Sequence, residues 1–231
     1  MTNDPETLLP DSSLYVVDVC GTLVHEDTTV GLLRFHFRRV KAWGRFGLAT
    51  LITARASPAR LLFMIVERFS KRHVSKVILV SLLKGQLLEE LQRSANVYAD
   101  HLLKNCTVDS VQDVIRHRPN HSELVLASAS LSPIVEALAR RLQSRFVASR
   151  LAVVDGVLTG AYAEDITGRK PEILRRDLSV DFSEIRDTVC LTDNLSDKAL
   201  LDLCDRRIVV LRNPQYQKRW FGLDAEFVQT G

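Results

Sequence analysis

The sequence predicts an α/β fold, a parallel sheet flanked by helices and interrupted near its start by an inserted helical domain. Three observations predict it. Short apolar runs rich in β-branched and aromatic residues, the mark of buried strands, lie at residues 14–17, 123–127 and 188–191. Each run ends within two residues of a side chain with useful chemistry, Asp18, Ser128 or Asp193, and open parallel sheets bind ligands at the carboxyl ends of their strands. Between the first and second runs, apolar residues recur at three- and four-residue steps, a helical period. The expected division is therefore a disordered lead over 1–12, a core built from 13–24 and 120–231, and a helical block over 25–119.

With 231 residues, 46% apolar and 26% charged, the chain can bury a full core and has a globular composition. No run approaches the roughly eighteen apolar residues of a membrane-spanning helix. The start of the chain is acidic and polar with Pro5 and Pro10, unlike the basic, then apolar, pattern of a signal peptide. Cys20, Cys106, Cys190 and Cys204 are far apart with no CxxC pair, so they read as reduced, in a cytoplasmic protein without a zinc site. The net charge of +3 conceals an asymmetry: residues 31–76 carry eleven Lys and Arg against one acid, Glu67.

The first strand ends at Asp18, and Gly21 lets the backbone turn closely around whatever that carboxylate faces. In the helical block, Ser57-Pro58 reads as a cap and first position of a helix running to Phe69. Leu82, Leu83, Leu87, Leu88, Leu91, Ala95, Tyr98 and Leu102 suggest one long amphipathic helix. Thr107 is the expected cap of another, with Val108, Val111, Val114 and Ile115 on its buried face. The core resumes with a strand from Glu123 to Ser128, followed by a helix that Ser132 caps and Pro133 starts. A hydroxyl delivered beside a helix amino terminus makes an anion site. Asp155-Gly156 between apolar, β-branched flanks predicts a hairpin. A last buried strand leads to Asp193 and Asp197, carboxylates of the kind that hard cations such as Mg²⁺ prefer. Residues 207–211 are expected to close the sheet.

Asp18, Gly21, Thr22 and Leu23 resemble the first motif of the haloacid dehalogenase superfamily, an apolar strand followed by Asp-x-Asp-Gly-Thr-Leu/Val. Ser128, Lys170 and the Asp193-x-x-x-Asp197 pair resemble its second, third and fourth motifs, in the same order. The hairpin before Lys170 is similar to that of the phosphoserine-phosphatase-like branch. The resemblance implies a Rossmann-like core with a helical cap and a Mg²⁺-dependent phosphatase that forms an aspartyl-phosphate on Asp18. It further implies that Gly21, Thr22, Ser128, Ala129 and Lys170 bind the phosphate, and that Asp18, Asp193, Asp197 and the Cys20 carbonyl hold the metal.

Cys20 departs from the pattern, standing where family phosphatases carry the aspartate that acts as general acid and base. A thiol, with a reference pKa of about 8.5, donates a proton weakly and suits the double role poorly. Two readings stay open: a working phosphatase, or a weakened or silent relative acting as a phosphotransferase or as a phospho-ligand or partner-binding module. Dehalogenases also lack that aspartate but use no metal, against which Asp193 and Asp197 argue. Residues 32–53 interleave Arg and Lys with Phe35, Phe37, Trp43 and Phe46. Such a stretch suits either an anionic soluble substrate or contact with an anionic membrane surface and a lipid-linked phosphate. No nucleic-acid motif accompanies it. The oligomeric state is left open.

Overall fold

The structure, a computed structural model, describes residues 13–54, 57 and 74–230. The lead over 1–12 and the helix expected from Pro58 to Phe69 lie outside them. Seven strands form one sheet: β1 (Ser13–Val17), β2 (Glu123–Leu131), β3 (Arg145–Val154), β4 (Val157–Glu164), β5 (Asp187–Thr192), β6 (Arg206–Leu211) and β7 (Glu226–Gln229). Their order is β4-β3-β2-β1-β5-β6-β7, and every neighbouring pair is parallel except the β3/β4 hairpin. This is the expected α/β class. Asp155 and Gly156 both take positive φ in the hairpin turn, 50° and 78°, the conformation that suits a two-residue connection.

From β1 the chain builds outward through β2, β3 and β4, then returns to place β5 on the other side of β1. The β1/β5 boundary is therefore the switch point at which loops diverge and leave a crevice. Two layers of side chains flank the sheet. Alternate residues of β1 part between them: Leu14 and Val16 join Val125, Ala127, Ile173 and Leu174 on one face, while Tyr15 and Val17 join Leu124 and Leu126 on the other. The second cluster runs on without a break into Leu32, Leu33, Phe37, Leu91 and Leu102 of the helical block, so the block shares its apolar core with the sheet.

The described helices are α1 (Thr28–Arg39), α2 (Trp43–Thr53), α3 (Val74–Ser81), α4 (Leu88–Asn105), α5 (Asp109–Arg116), α6 (Ser132–Leu142), α7 (Lys170–Leu178) and α8 (Lys198–Leu201). Four local expectations are corrected. The apolar series from Leu82 is not one helix: Gly85 turns at φ 79°, and the backbone of 85–88 bonds to the free edge of β4 through Gly85 N–H to Leu158 O and Leu158 N–H to Gln86 O, each 2.8 Å. An edge that needed partners outweighed helical periodicity. Thr107 does not cap α5. It bridges Val24, and Val108 takes the cap position without a side-chain bond; Val111 and Ile115 are buried as expected. Ser132 lies inside α6 rather than at its cap, because β2 runs directly into the helix at Leu131. Finally, β6 is not the closing strand. β7, four partly exposed residues too short to read as an apolar run, pairs beyond it.

Candidate active site

A cavity of about 250 Å³ opens at the carboxyl ends of β1 and β2. Asp18, Cys20, Ser128, Ala129, Lys170 and Asp197, all singled out from the sequence, line it. Asp18 directly follows β1 and is fixed by its own N–H, which donates to the Leu191 carbonyl of β5 at 2.9 Å. Lys170, the first residue of α7, is buried and donates to Asp18 Oδ1 at 2.9 Å and to Asp197 Oδ2 at 2.6 Å. Thr192 Oγ1, at the end of β5, donates to the same Asp197 oxygen at 2.8 Å. Burial raises the Asp18 carboxyl above its ordinary value and the Lys170 charge opposes that shift. Burial also lowers Lys170, but the Asp18 and Asp197 charges outweigh it and keep the ammonium protonated.

Asp193 sits beside this pair rather than among it. Its Oδ1 accepts from Thr22 Oγ1 at 3.3 Å, its N–H donates to Thr22 Oγ1 at 2.9 Å, and Arg212 lies 3.6 Å from Oδ2. Burial, then the Asp18 charge, pushes its pKa up to about 6, with Arg212 acting the other way. Gly21 makes the room: at φ 79° its absent Cβ would lie 2.1 Å from Asp193 Oδ2 and 2.3 Å from Arg212. Gly21 N–H is engaged by the Val24 carbonyl at 2.7 Å. The first-motif glycine and threonine thus hold Asp193, while the serine and lysine face the cavity.

Asp18, Asp193 and Asp197 do not converge as a three-carboxylate cage, because Lys170 stands between Asp18 and Asp197. They nevertheless leave negative charge unbalanced. Asp197 Oδ1 is buried with no hydrogen-bond partner among the described residues, and Asp193 carries a raised pKa. Three carboxylates against one buried ammonium and one half-exposed guanidinium are a donor set that a hard, oxygen-preferring cation fits.

Cys20 Sγ lies 3.0 Å from Thr28 Oγ1 and 2.9 Å from Ser130 Oγ, the two hydroxyls are 2.7 Å apart, and Thr28 N–H donates to the sulfur at 3.3 Å. Burial, with the nearby Asp27 and Asp18 charges, pushes the thiol up to about 11. It is protonated at neutral pH.

Sequence reasoning missed Asp27, Thr29, Ser130 and Lys76, which also line the cavity, and Arg212 beside Asp193. Asp27 carried a readable signal, since its Oδ1 caps α1 by accepting from Thr29 and Val30 N–H at 3.1 Å. Lys76 carried none: it reaches the site from α3, where its ammonium donates to Thr167 Oγ1 at 3.3 Å, ninety-one positions away.

The profile of the haloacid dehalogenase-like hydrolases matches residues 16–202. No curated protein matches the sequence. Among solved structures, a Bordetella pertussis Tohama I protein of unknown function aligns over 96% of this chain and 100% of its own, at 16% identity and TM-score 0.70. A phosphoserine phosphatase captured as a phospho-aspartyl intermediate analogue aligns over 94% and 93%, at 18% identity and TM-score 0.55. Cytosolic 5'-nucleotidase IIIB bound to cytidine aligns over 96% and 81%, at 13% identity and TM-score 0.58. At such identities these likenesses speak for the fold alone.

Proposed function

The chain belongs to the haloacid dehalogenase-like hydrolases, and from that premise we propose that it is a Mg²⁺-dependent phosphatase that cleaves a phosphomonoester through an aspartyl-phosphate on Asp18. One observation carries the reading: a lysine ammonium buried between Asp18 and Asp197 on the wall of the cavity. A buried cation beside a strand-end carboxylate favours the ionised nucleophile and also meets the oxygens of an incoming phosphate.

In this reading an Asp18 oxygen attacks phosphorus and the bond from phosphorus to the ester oxygen breaks, leaving an acyl phosphate. Water then attacks the same phosphorus, releasing phosphate and the free carboxylate. Ser128 Oγ and the Ala129 N–H receive phosphate oxygens together with Lys170. Mg²⁺, held by Asp18, Asp193 and the Cys20 carbonyl, would supply charge neutralisation of the phosphoryl oxygens. Asp197, expected as a metal ligand, acts in this reading on Lys170 through Oδ2, while its buried Oδ1 has no hydrogen-bond partner among the described residues. The Cys20 thiol, at about 11, donates a proton but rarely accepts one at neutral pH. The test is phosphate release from a phosphomonoester panel with and without Mg²⁺, using Asp18→Asn as the blank. Turnover that disappears in the blank supports a phosphatase. Binding of phosphorylated compounds without turnover favours the silent reading.

Asp193 gives a signed pH prediction. Its folded pKa of about 6 exceeds the unfolded value of about 3.9, so in metal-free protein its contribution to stability is full below about pH 4 and is lost as pH rises through 6. The difference corresponds to roughly 2–3 kcal/mol. In chelator at pH 7.5, Asp193→Asn is expected to melt about 5 °C or more above wild type, with the gap closing near pH 4. The same variant loses Mg²⁺-dependent turnover. Calorimetry across pH 4–7.5 checks the sign.

For the substrate, the exposed Trp43, Leu48 and Leu51 of α2 stand within the basic stretch, where the Arg38 guanidinium lies 5.0 Å from the Phe46 ring centroid. That arrangement supports a lipid-linked phosphate met at an anionic membrane surface. Co-sedimentation with vesicles containing phosphatidylserine at physiological salt is expected. Its absence leaves a soluble phosphomonoester as the substrate class. No described helix is long and apolar enough to cross a membrane.

A further inference from the structure

Away from the catalytic cavity, the described residues contain one group of three metal-ligating side chains whose ligand atoms lie within 4.8 Å of one another: Glu26, His101 and Cys106. The fold puts this group at a particular place. The chain enters the helical block through residues 24–27 and leaves it through 105–108, and the two linkers run side by side. Val24 bridges Thr107, His25 N–H donates to the Cys106 carbonyl at 2.8 Å, and Val108 N–H donates to the Leu23 carbonyl at 3.1 Å. Glu26 stands on the entering linker and Cys106 on the leaving one. His101 is on the last turns of α4.

Cys106 Sγ lies 3.5 Å from Glu26 Oε1 and 4.0 Å from His101 Nε2. A tetrahedral zinc ion, with bonds of about 2.3 Å to sulfur and about 2.0–2.1 Å to nitrogen or oxygen, sets sulfur about 3.6 Å from each partner. Both sulfur distances therefore fall within about half an ångström of what such an ion requires. The surrounding contacts hold the ligands in place. The Tyr98 hydroxyl donates to the other Glu26 oxygen. The Tyr98 ring stacks on His101 with centroids 6.0 Å apart. Gly31 makes the tyrosine's reach possible, because a Cβ there would lie 1.8 Å from the Tyr98 hydroxyl. Supporting contacts of this kind orient first ligands at metal sites.

We propose that Glu26, His101 and Cys106 bind a zinc-class divalent ion that fastens the two linkers of the helical block. The mixed sulfur, nitrogen and oxygen set selects such an ion over Mg²⁺ and Ca²⁺, which take oxygen alone. Binding displaces the Cys106 thiol proton to solvent, leaving thiolate and carboxylate to neutralise the dication. Exposed His101 leaves room for a fourth, solvent ligand. The test titrates Co²⁺ into the reduced, chelator-stripped full chain in excess Mg²⁺, which occupies the carboxylate site. One equivalent is expected to give a thiolate-to-cobalt charge-transfer band with intense four-coordinate visible bands, bleached by one equivalent of Zn²⁺. Cys106→Ser abolishes the band, and Cys20→Ser keeps it. His101→Gln, a change on an exposed helix surface, weakens binding by more than the roughly 10–100-fold typical of losing an outer contact. No band in wild type, a band that survives Cys106→Ser, or unchanged affinity in His101→Gln overturns the proposal.

Discussion

Asp18→Asn is expected to remove the proposed Mg²⁺-dependent phosphate release, by at least about 10⁴-fold, while the protein stays folded. The amide keeps the shape of the carboxylate and an oxygen for Lys170, and the ammonium retains its 2.6 Å bond to Asp197. What disappears is the anionic oxygen that, in the proposed reaction, bonds to phosphorus. Burial already raises the Asp18 pKa, so loss of its charge is not expected to lower the melting temperature of the metal-free protein. Lys170→Ala provides the contrast. It leaves Asp18 and Asp197 facing each other without their shared cation, and breaking a buried pair in this way costs about 3–5 kcal/mol. Activity and melting temperature measured together thus separate a lost nucleophile from a collapsed site. An Asp18→Asn protein that keeps turnover within tenfold of wild type would remove Asp18 from the chemistry.

How far the sequence disclosed this site depends on the kind of signal each residue carries. Asp18 and Asp193 were legible because each follows a buried strand, and Ser128 because it lies near the end of one, β2, which runs three residues further than expected, to Leu131; a parallel sheet brings strand ends together whatever the loops do. Lys170 was legible only through the order of motifs, since nothing in its neighbourhood marks it for burial between two carboxylates. Asp197 and Lys170 were both found but their pairing was not: a carboxylate four residues after Asp193 reads as a metal ligand, and only the fold brings Lys170 to it at 2.6 Å. Lys76, Arg212 and the Glu26–His101–Cys106 group were invisible because each contact joins segments that share no local pattern. The same limit applies to the fold. The helical period of the apolar residues from Leu82 to Leu102 runs across Gly85, yet the edge of β4 decided where that helix began. β7 was too short and too exposed to distinguish itself from a terminal loop.

Cys20→Asp is expected to accelerate hydrolysis of alkyl phosphates roughly 10²-fold or more, the usual worth of a positioned general acid and base. The surroundings are ready for a carboxylate. Thr28 N–H and the Thr28 and Ser130 hydroxyls all lie within 3.3 Å of the present sulfur, three groups able to donate to a carboxylate at this position. The thiol, held at about 11, rests protonated near neutral pH, so it can protonate a leaving group but is no base for water unless it has first given that proton away. The two half-reactions should therefore respond differently. With an aryl phosphate, whose leaving group needs little help, wild type is expected to release one equivalent of phenol in a burst and then turn over slowly as Asp18 dephosphorylates. Cys20→Asp is expected to abolish the burst and raise the steady-state rate. With an alkyl phosphate both steps gain, so the ratio of variant to wild-type kcat should rise as the leaving group becomes more basic. Rapid-quench kinetics over a series of phosphate esters measures that slope. A variant that folds, binds Mg²⁺ and shows neither the gain nor the loss of the burst would mean that proton transfer at this position does not limit the chain. The reason for the cysteine would then have to be sought in what the phosphoenzyme meets after it forms.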